Sequence, residues 1–112
     1  MASTAAKSLH RDIRPMVRRI VERFHPDQVI LFGSHARGKA DSDSDVDLLV
    51  VMPVGASKRD KAVEIRGALR DFRVPKDIVV SEPSEFAWRK DVIGTIEWPA
   101  LREGKVMYVR AR

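Results

Sequence analysis

Cysteine is absent from this chain. That excludes a disulfide framework, thiolate metal sites and a cysteine nucleophile. No apolar run approaches the roughly 18 residues a membrane span requires, and MASTAAKSLHRD has no apolar stretch long enough for a signal peptide. Aromatic residues are scarce, at 6% of 112, with one tyrosine and two tryptophans. Trp88, Trp98 and Tyr108 have no regular spacing and read as core or interface residues rather than a base-stacking set. A soluble, cytoplasmic protein is the expectation, as one domain over residues 1–112 with residues 1–8 flexible. That length leaves no room for a separate acceptor-binding domain.

Positive charge is in moderate excess, with a formal net charge of +5. Most of it sits at the start, where Lys7, Arg11, Arg14, Arg18, Arg19 and Arg23 face only Asp12 and Glu22. A basic face attracts nucleic acid or an acidic partner. With no tryptophan or tyrosine interleaved for stacking, a solvated helix face is the preferred reading and a nucleic-acid ligand is not expected.

Ile13, Met16, Val17, Ile20, Val21 and Phe24 follow a 3.6-residue period, predicting an amphipathic helix over about 9–24 that His25-Pro26-Asp27 ends. Gln28 to Phe32 is a short β-branched apolar strand stopped by Gly33. Ser34 suits a helix N-cap, with His35-Ala36-Arg37 as a first turn before Gly38. After a polar loop, DVDLLVV from Asp45 predicts a strand buried on both faces. Ser57 and Asp60 form a capping box for a helix reaching about Phe72. Asp77 to Val80 is a third strand, 85–101 is helical but interrupted by Gly94 and Pro99, and Lys105 to Val109 is a last strand.

This order converts into geometry. The second and third strands, joined by a helix, should be parallel, whereas the first and second should pair antiparallel. Gly33, Ser34, Asp45, Asp47 and Asp77 would then converge at one end of a small mixed sheet. Asp45 and Asp47, two residues apart, share a face with Cα atoms about 6.5–7 Å apart. Carboxylates that close repel unless a cation or a proton neutralises them. Hard oxygen donors without histidine or cysteine clusters favour Mg²⁺ or Mn²⁺.

Two other motifs fail on inspection. Asp41, Asp43 and Asp45 open like an EF-hand loop, but Val46 stands where glycine is needed and Met52 where the bidentate glutamate belongs. Gly33 to Lys39 fits GxxxxGK, yet Ala40 supplies no hydroxyl at the eighth position of a P-loop.

Gly33-Ser34 after a strand, Arg37-Gly38 a turn later and Asp45-Val46-Asp47 at the next strand, preceded by Ser44, together resemble the nucleotidyltransferase superfamily of polymerase-β-like enzymes. Asp77 matches its third carboxylate. In detail the chain is similar, over about residues 10–110, to the minimal nucleotidyltransferases, small domains often encoded beside a HEPN-domain protein as antitoxin and toxin. His35 departs from the pattern, since arginine is common there. The resemblance implies an α/β (α+β) nucleotidyltransferase fold and two Mg²⁺ ions held by Asp45, Asp47 and Asp77, which are also the catalytic residues. It further implies nucleotide binding by Gly33, Ser34, Arg37, Gly38 and Ser44, and transfer of AMP from ATP to a hydroxyl, a tyrosine of the HEPN toxin. A binding-only antitoxin acting by occlusion is the competing class, and a basic-helix nucleic-acid binder a third. Ser44 and Arg37 also have structural readings, the first as a loop cap and the second in an ion pair with Asp41 or Asp43. Oligomeric state, homo- or hetero-, is left open.

Overall fold

A computed structural model describes residues 9–111, so the flexibility expected of residues 1–8 lies outside the described residues. The first helix, α1 (Ile13–Phe24), buries Ile13, Met16, Val17 and Ile20, the stripe its period predicts. It begins later than Leu9, and it ends where His25 takes a left-handed conformation, φ 50°, with its amide bonded to Val21 O at 3.1 Å. Two strands follow, β1 (Gln28–Phe32) and β2 (Val46–Val51), then α2 (Lys58–Ala68), β3 (Lys76–Ser81), α3 (Pro83–Arg89), α4 (Glu97–Glu103) and β4 (Lys105–Val109).

The sheet order is β3-β2-β1-β4. β2 and β3 are parallel, Val46 opposite Lys76 and Asp47 opposite Asp77. β1 is antiparallel to β2, with Phe32 opposite Asp47, and antiparallel to β4. Alternation divides the strands between two cores. Val29, Leu31, Val46, Leu48, Val50, Ile78 and Val80 pack with the apolar stripes of α1 and α2. Ile30, Leu49 and Val51 pack on the other face with Phe86 of α3 and Ala100 of α4. Each fully buried Leu or Ile contributes about 2 kcal/mol, which is why β2, covered on both sides, reads as a continuous apolar run. Asp47 and Asp77 share parity with Leu49 and Val79 and so belong to the α3/α4 side of the sheet.

Three local expectations are corrected. The segment after β1 makes one hydrogen-bonded turn rather than a helix: Ala36 N and Arg37 N both donate to Gly33 O, at 3.1 and 3.2 Å. α2 starts at its cap, Ser57 accepting from Asp60 N at 3.1 Å, but ends at Ala68 rather than Phe72. Gly67 weakens its last turn. The 85–101 stretch is two short helices broken at Gly94, whose φ of 102° is closed to most residues. Pro99 does not interrupt. It sits in the first turn of α4, where its missing donor has no intrahelical partner to lose. At the far end of α4 only glycine fits, because a Cβ on Gly104 would collide with the Ala100 carbonyl and lie 2.5 Å from that of Leu31. This close approach lets the chain pass from α4 into the sheet beside β1.

Candidate active site

Antiparallel pairing brings the end of β1 beside the start of β2, and parallel pairing brings the start of β3 beside the same point. Gly33, Asp47 and Asp77 therefore meet at one end of the sheet, although 44 residues separate the first from the last. Gly33 adopts φ +74°, and a Cβ there would collide with Asp47 Oδ2 and stand 3.1 Å from its Cγ. The Asp47 carboxylate thus lies directly against the backbone of the turn. No side chain could intervene.

The turn continues with Lys39 N donating to Ser34 O at 3.0 Å, and Gly38 supplies a second left-handed residue, φ +69°. The amides of Ser34 and His35 have no backbone acceptor among the described residues. Free N–H groups at the head of a helical turn are suited to an anion. His35 Nε2 donates to Ser44 O at 3.2 Å, which requires the hydrogen on that nitrogen because a carbonyl only accepts. Thus the residue that departs from the family pattern ties the turn to the acidic loop.

Within that loop the Ser44 hydroxyl accepts from Asp41 N at 3.0 Å and donates to Asp41 Oδ1 at 3.1 Å. Asp43 N also donates to Asp41 Oδ1, and this bond, followed by the Ser44 hydroxyl, holds the Asp41 carboxyl below its ordinary pKa. Ser44 is placed as the clasp of the loop. Arg37 is exposed, 3.9 Å from Glu103 of α4, so its ion pair is with neither Asp41 nor Asp43.

The three carboxylates differ in setting. Asp45 is exposed, Asp47 partly buried, and Asp77 half-exposed with its Oδ1 3.5 Å from Arg66 Nη2. Burial, then the charges of Asp77 and Asp45, push the Asp47 carboxyl above its ordinary pKa, against the opposing pull of His35 and Arg37. Excess negative charge on hard oxygen donors fits a divalent cation. Among the described residues, however, no group of three or more His, Cys, Asp or Glu is gathered as a ready ligand set. Arg66 holds Asp77 instead.

Sequence reasoning missed Arg66, which nothing in its local pattern marks, since an exposed arginine on a helix has no distinguishing period. It also missed a buried polar cluster on the α3/α4 side. Glu97, 3% exposed, accepts from Ser81 Oγ at 2.9 Å and from Arg89 Nε at 3.0 Å. The glutamate opens a helix of only seven residues, Glu97–Glu103, too short for burial to leave a periodic signal. Trp88 is 55% exposed and so is not a core residue, while Trp98 and Tyr108 are partly buried. No helix among the described residues is long and apolar enough to cross a membrane.

The sequence profile of the nucleotidyltransferase domain family matches residues 13–101. A protein of Methanocaldococcus jannaschii named "putative protein adenylyltransferase" is 42% identical over 55 residues, 49% of this chain and 54% of that protein. The match thus spans about half the length of the relative. A crystal structure described as a "putative nucleotidyltransferase" from Sulfolobus solfataricus superposes with a TM-score of 0.59, covering 88% of this chain and 78% of that one. At 21% identity it shows a shared fold.

Proposed function

The chain belongs to the nucleotidyltransferase domain family, and from that premise we propose that it moves AMP from ATP onto a hydroxyl of a partner protein, releasing pyrophosphate. The observation that carries the proposal is the contact of the Gly33 turn with Asp47, which stands opposite Asp77 on the neighbouring strand: a turn with outward amides abutting a pair of carboxylates. The name of the archaeal relative supports a protein acceptor and an adenylyl group. Resemblance to minimal nucleotidyltransferases supports a tyrosine of a HEPN-domain toxin as that acceptor, with modification silencing the toxin in the cytoplasm.

Nucleotidyltransferase domains generally use nucleoside triphosphates with divalent metals. Asp45, Asp47 and Asp77 would hold Mg²⁺ or Mn²⁺, two ions in the full site, and such ions neutralise phosphate charge and stabilise the attacking and leaving oxygens. The remaining work falls to this chain's own groups. The Ser34 and His35 amides and the Ser34 hydroxyl bind phosphate oxygens, Gly33 and Gly38 shape the turn, and Arg37 counters phosphate charge. Ser44, by clasping the loop, positions Asp45. Asp77, once free of Arg66, takes the acceptor's proton as the acceptor oxygen bonds to the α-phosphorus. The bond from that phosphorus to the bridging oxygen of the β-phosphate breaks, and pyrophosphate leaves.

Intact-mass spectrometry of the neighbouring gene's product, incubated with this protein, ATP and Mg²⁺, tests the reading. We expect a gain of one or more AMP masses that disappears with Asp45→Ala/Asp47→Ala. No gain, with the partner still bound and inhibited, would overturn it in favour of occlusion by a binding-only protein.

A further inference from the structure

We propose that the basic cleft next to Asp77, formed by Arg66, Arg70, Arg73 and Lys76, docks an acidic segment of the protein acceptor; the inference rests on the transferase reading above. The cleft, about 600 Å³, lies between the end of α2 and the start of β3, with Phe72 and Pro75 among its walls. Its one acid in the 66–76 stretch, Asp71, is taken by a hydrogen-bonded ion pair with Arg19 that holds the Asp71 carboxyl below its ordinary pKa. Lys76 Nζ donates to the Phe72 carbonyl at 2.7 Å, a neutral acceptor that leaves its charge uncompensated. Among the described residues, Arg70, Arg73 and Lys76 have no carboxylate at ion-pair distance. Four cations converging on one depression repel one another and raise the local concentration of anions.

Position decides which anion. Val46 N donates to Pro75 O at 2.8 Å, so the cleft wall adjoins the residue following Asp45, and Arg66 reaches across to Asp77 at 3.5 Å. In the sheet order β3-β2-β1-β4, Asp77 stands on the side of β2 opposite the Gly33 turn. In-line displacement places attacking and leaving oxygens on opposite sides of the phosphorus. With the leaving pyrophosphate at the Gly33 turn, the attacking hydroxyl enters from the β3 edge at Asp77, and the cleft lies around that edge on the α2 face, linked to Asp77 by Arg66. Carboxylates of an acidic segment would draw Arg66 from Asp77 and release the group that takes the proton. A protein segment is favoured over a nucleic acid because Phe72, the one aromatic ring lining the cleft, already has a face occupied by the Arg19 guanidinium, 4.5 Å from its centroid, and no second ring stands beside it for successive bases to stack on.

The test uses a labelled tyrosine-bearing polyglutamate peptide, with single-stranded polyuridine as competitor, measured by fluorescence anisotropy on the full chain. Arg70→Glu/Arg73→Glu should weaken peptide binding about tenfold or more, and Arg70→Gln/Arg73→Gln by less, both losses shrinking with added salt. ATP affinity should stay unchanged in both variants. Unchanged peptide affinity in the variants, or no peptide binding by the wild type, would overturn the proposal. So would tighter binding of polyuridine that the same substitutions abolish, which would make the cleft a nucleic-acid face. Peptide binding that the variants lose, with no AMP gain on the neighbouring gene's product when the wild type is given ATP and Mg²⁺, would uphold the docking surface and remove only the transferase reading.

Discussion

Replacing Gly33 with alanine isolates the contact on which the site is built. At φ +74° an L-residue carries a backbone cost of about 1 kcal/mol. The new methyl would also collide with Asp47 Oδ2 and press to 3.1 Å from Cγ. Only the end of the Asp47 side chain must move, so this second cost is about 1 kcal/mol rather than several. The sum, about 2 kcal/mol, should lower the Tm of a domain this size by about 10 °C. Urea unfolding of Gly33→Ala, Asp47→Ala and the double variant separates the two contributions. In the Asp47→Ala background there is no carboxylate to displace, so Gly33→Ala should cost only its backbone part, a coupling of about 1 kcal/mol. Equal costs in both backgrounds would refute the packing of Asp47 against the turn. A neutral Gly33→Ala would refute the left-handed turn as well.

Asp47→Asn should stabilise the protein at pH 7 by a few tenths of a kcal/mol, the small size reflecting solvent screening of a partly exposed group. The sign follows from a folded pKa raised above the ordinary 3.8 by burial and by Asp77 and Asp45. Between that ordinary value and the raised one the native state binds more protons than the unfolded state, so stability falls as pH rises through this window and the full cost is present above it. The advantage of Asp47→Asn should therefore vanish in urea titrations below about pH 4, and an advantage independent of pH would contradict the electrostatic origin. Glu97→Ala should destabilise by about 3 kcal/mol because Ser81 Oγ and Arg89 Nε lose their shared acceptor in a buried setting, whereas Glu97→Gln, which keeps an oxygen, should cost about half as much. Equal losses in chemical denaturation would show that the carboxylate hydrogen bonds are not what the position supplies.

What the sequence by itself determined is local and periodic. The α1 stripe, the Ser57 cap, the apolar β1 and β2 runs and the two-residue spacing of Asp45 and Asp47 each depend on neighbours within a few positions. Short-range geometry leaves them little choice. Strand pairing was legible where a helical crossover or a connecting loop constrained it, as in parallel β2-β3 and antiparallel β1-β2, and this already brought Gly33, Asp47 and Asp77 to one end. Tertiary structure alone decided that β4 joins the free side of β1, that Arg66 restrains Asp77, that Arg37 faces Glu103, and that Glu97 is buried against Ser81 and Arg89. Those outcomes join residues far apart in the chain through long, flexible or edge side chains. Their partners are selected by the packed surfaces of two finished cores, which no single stretch of sequence contains.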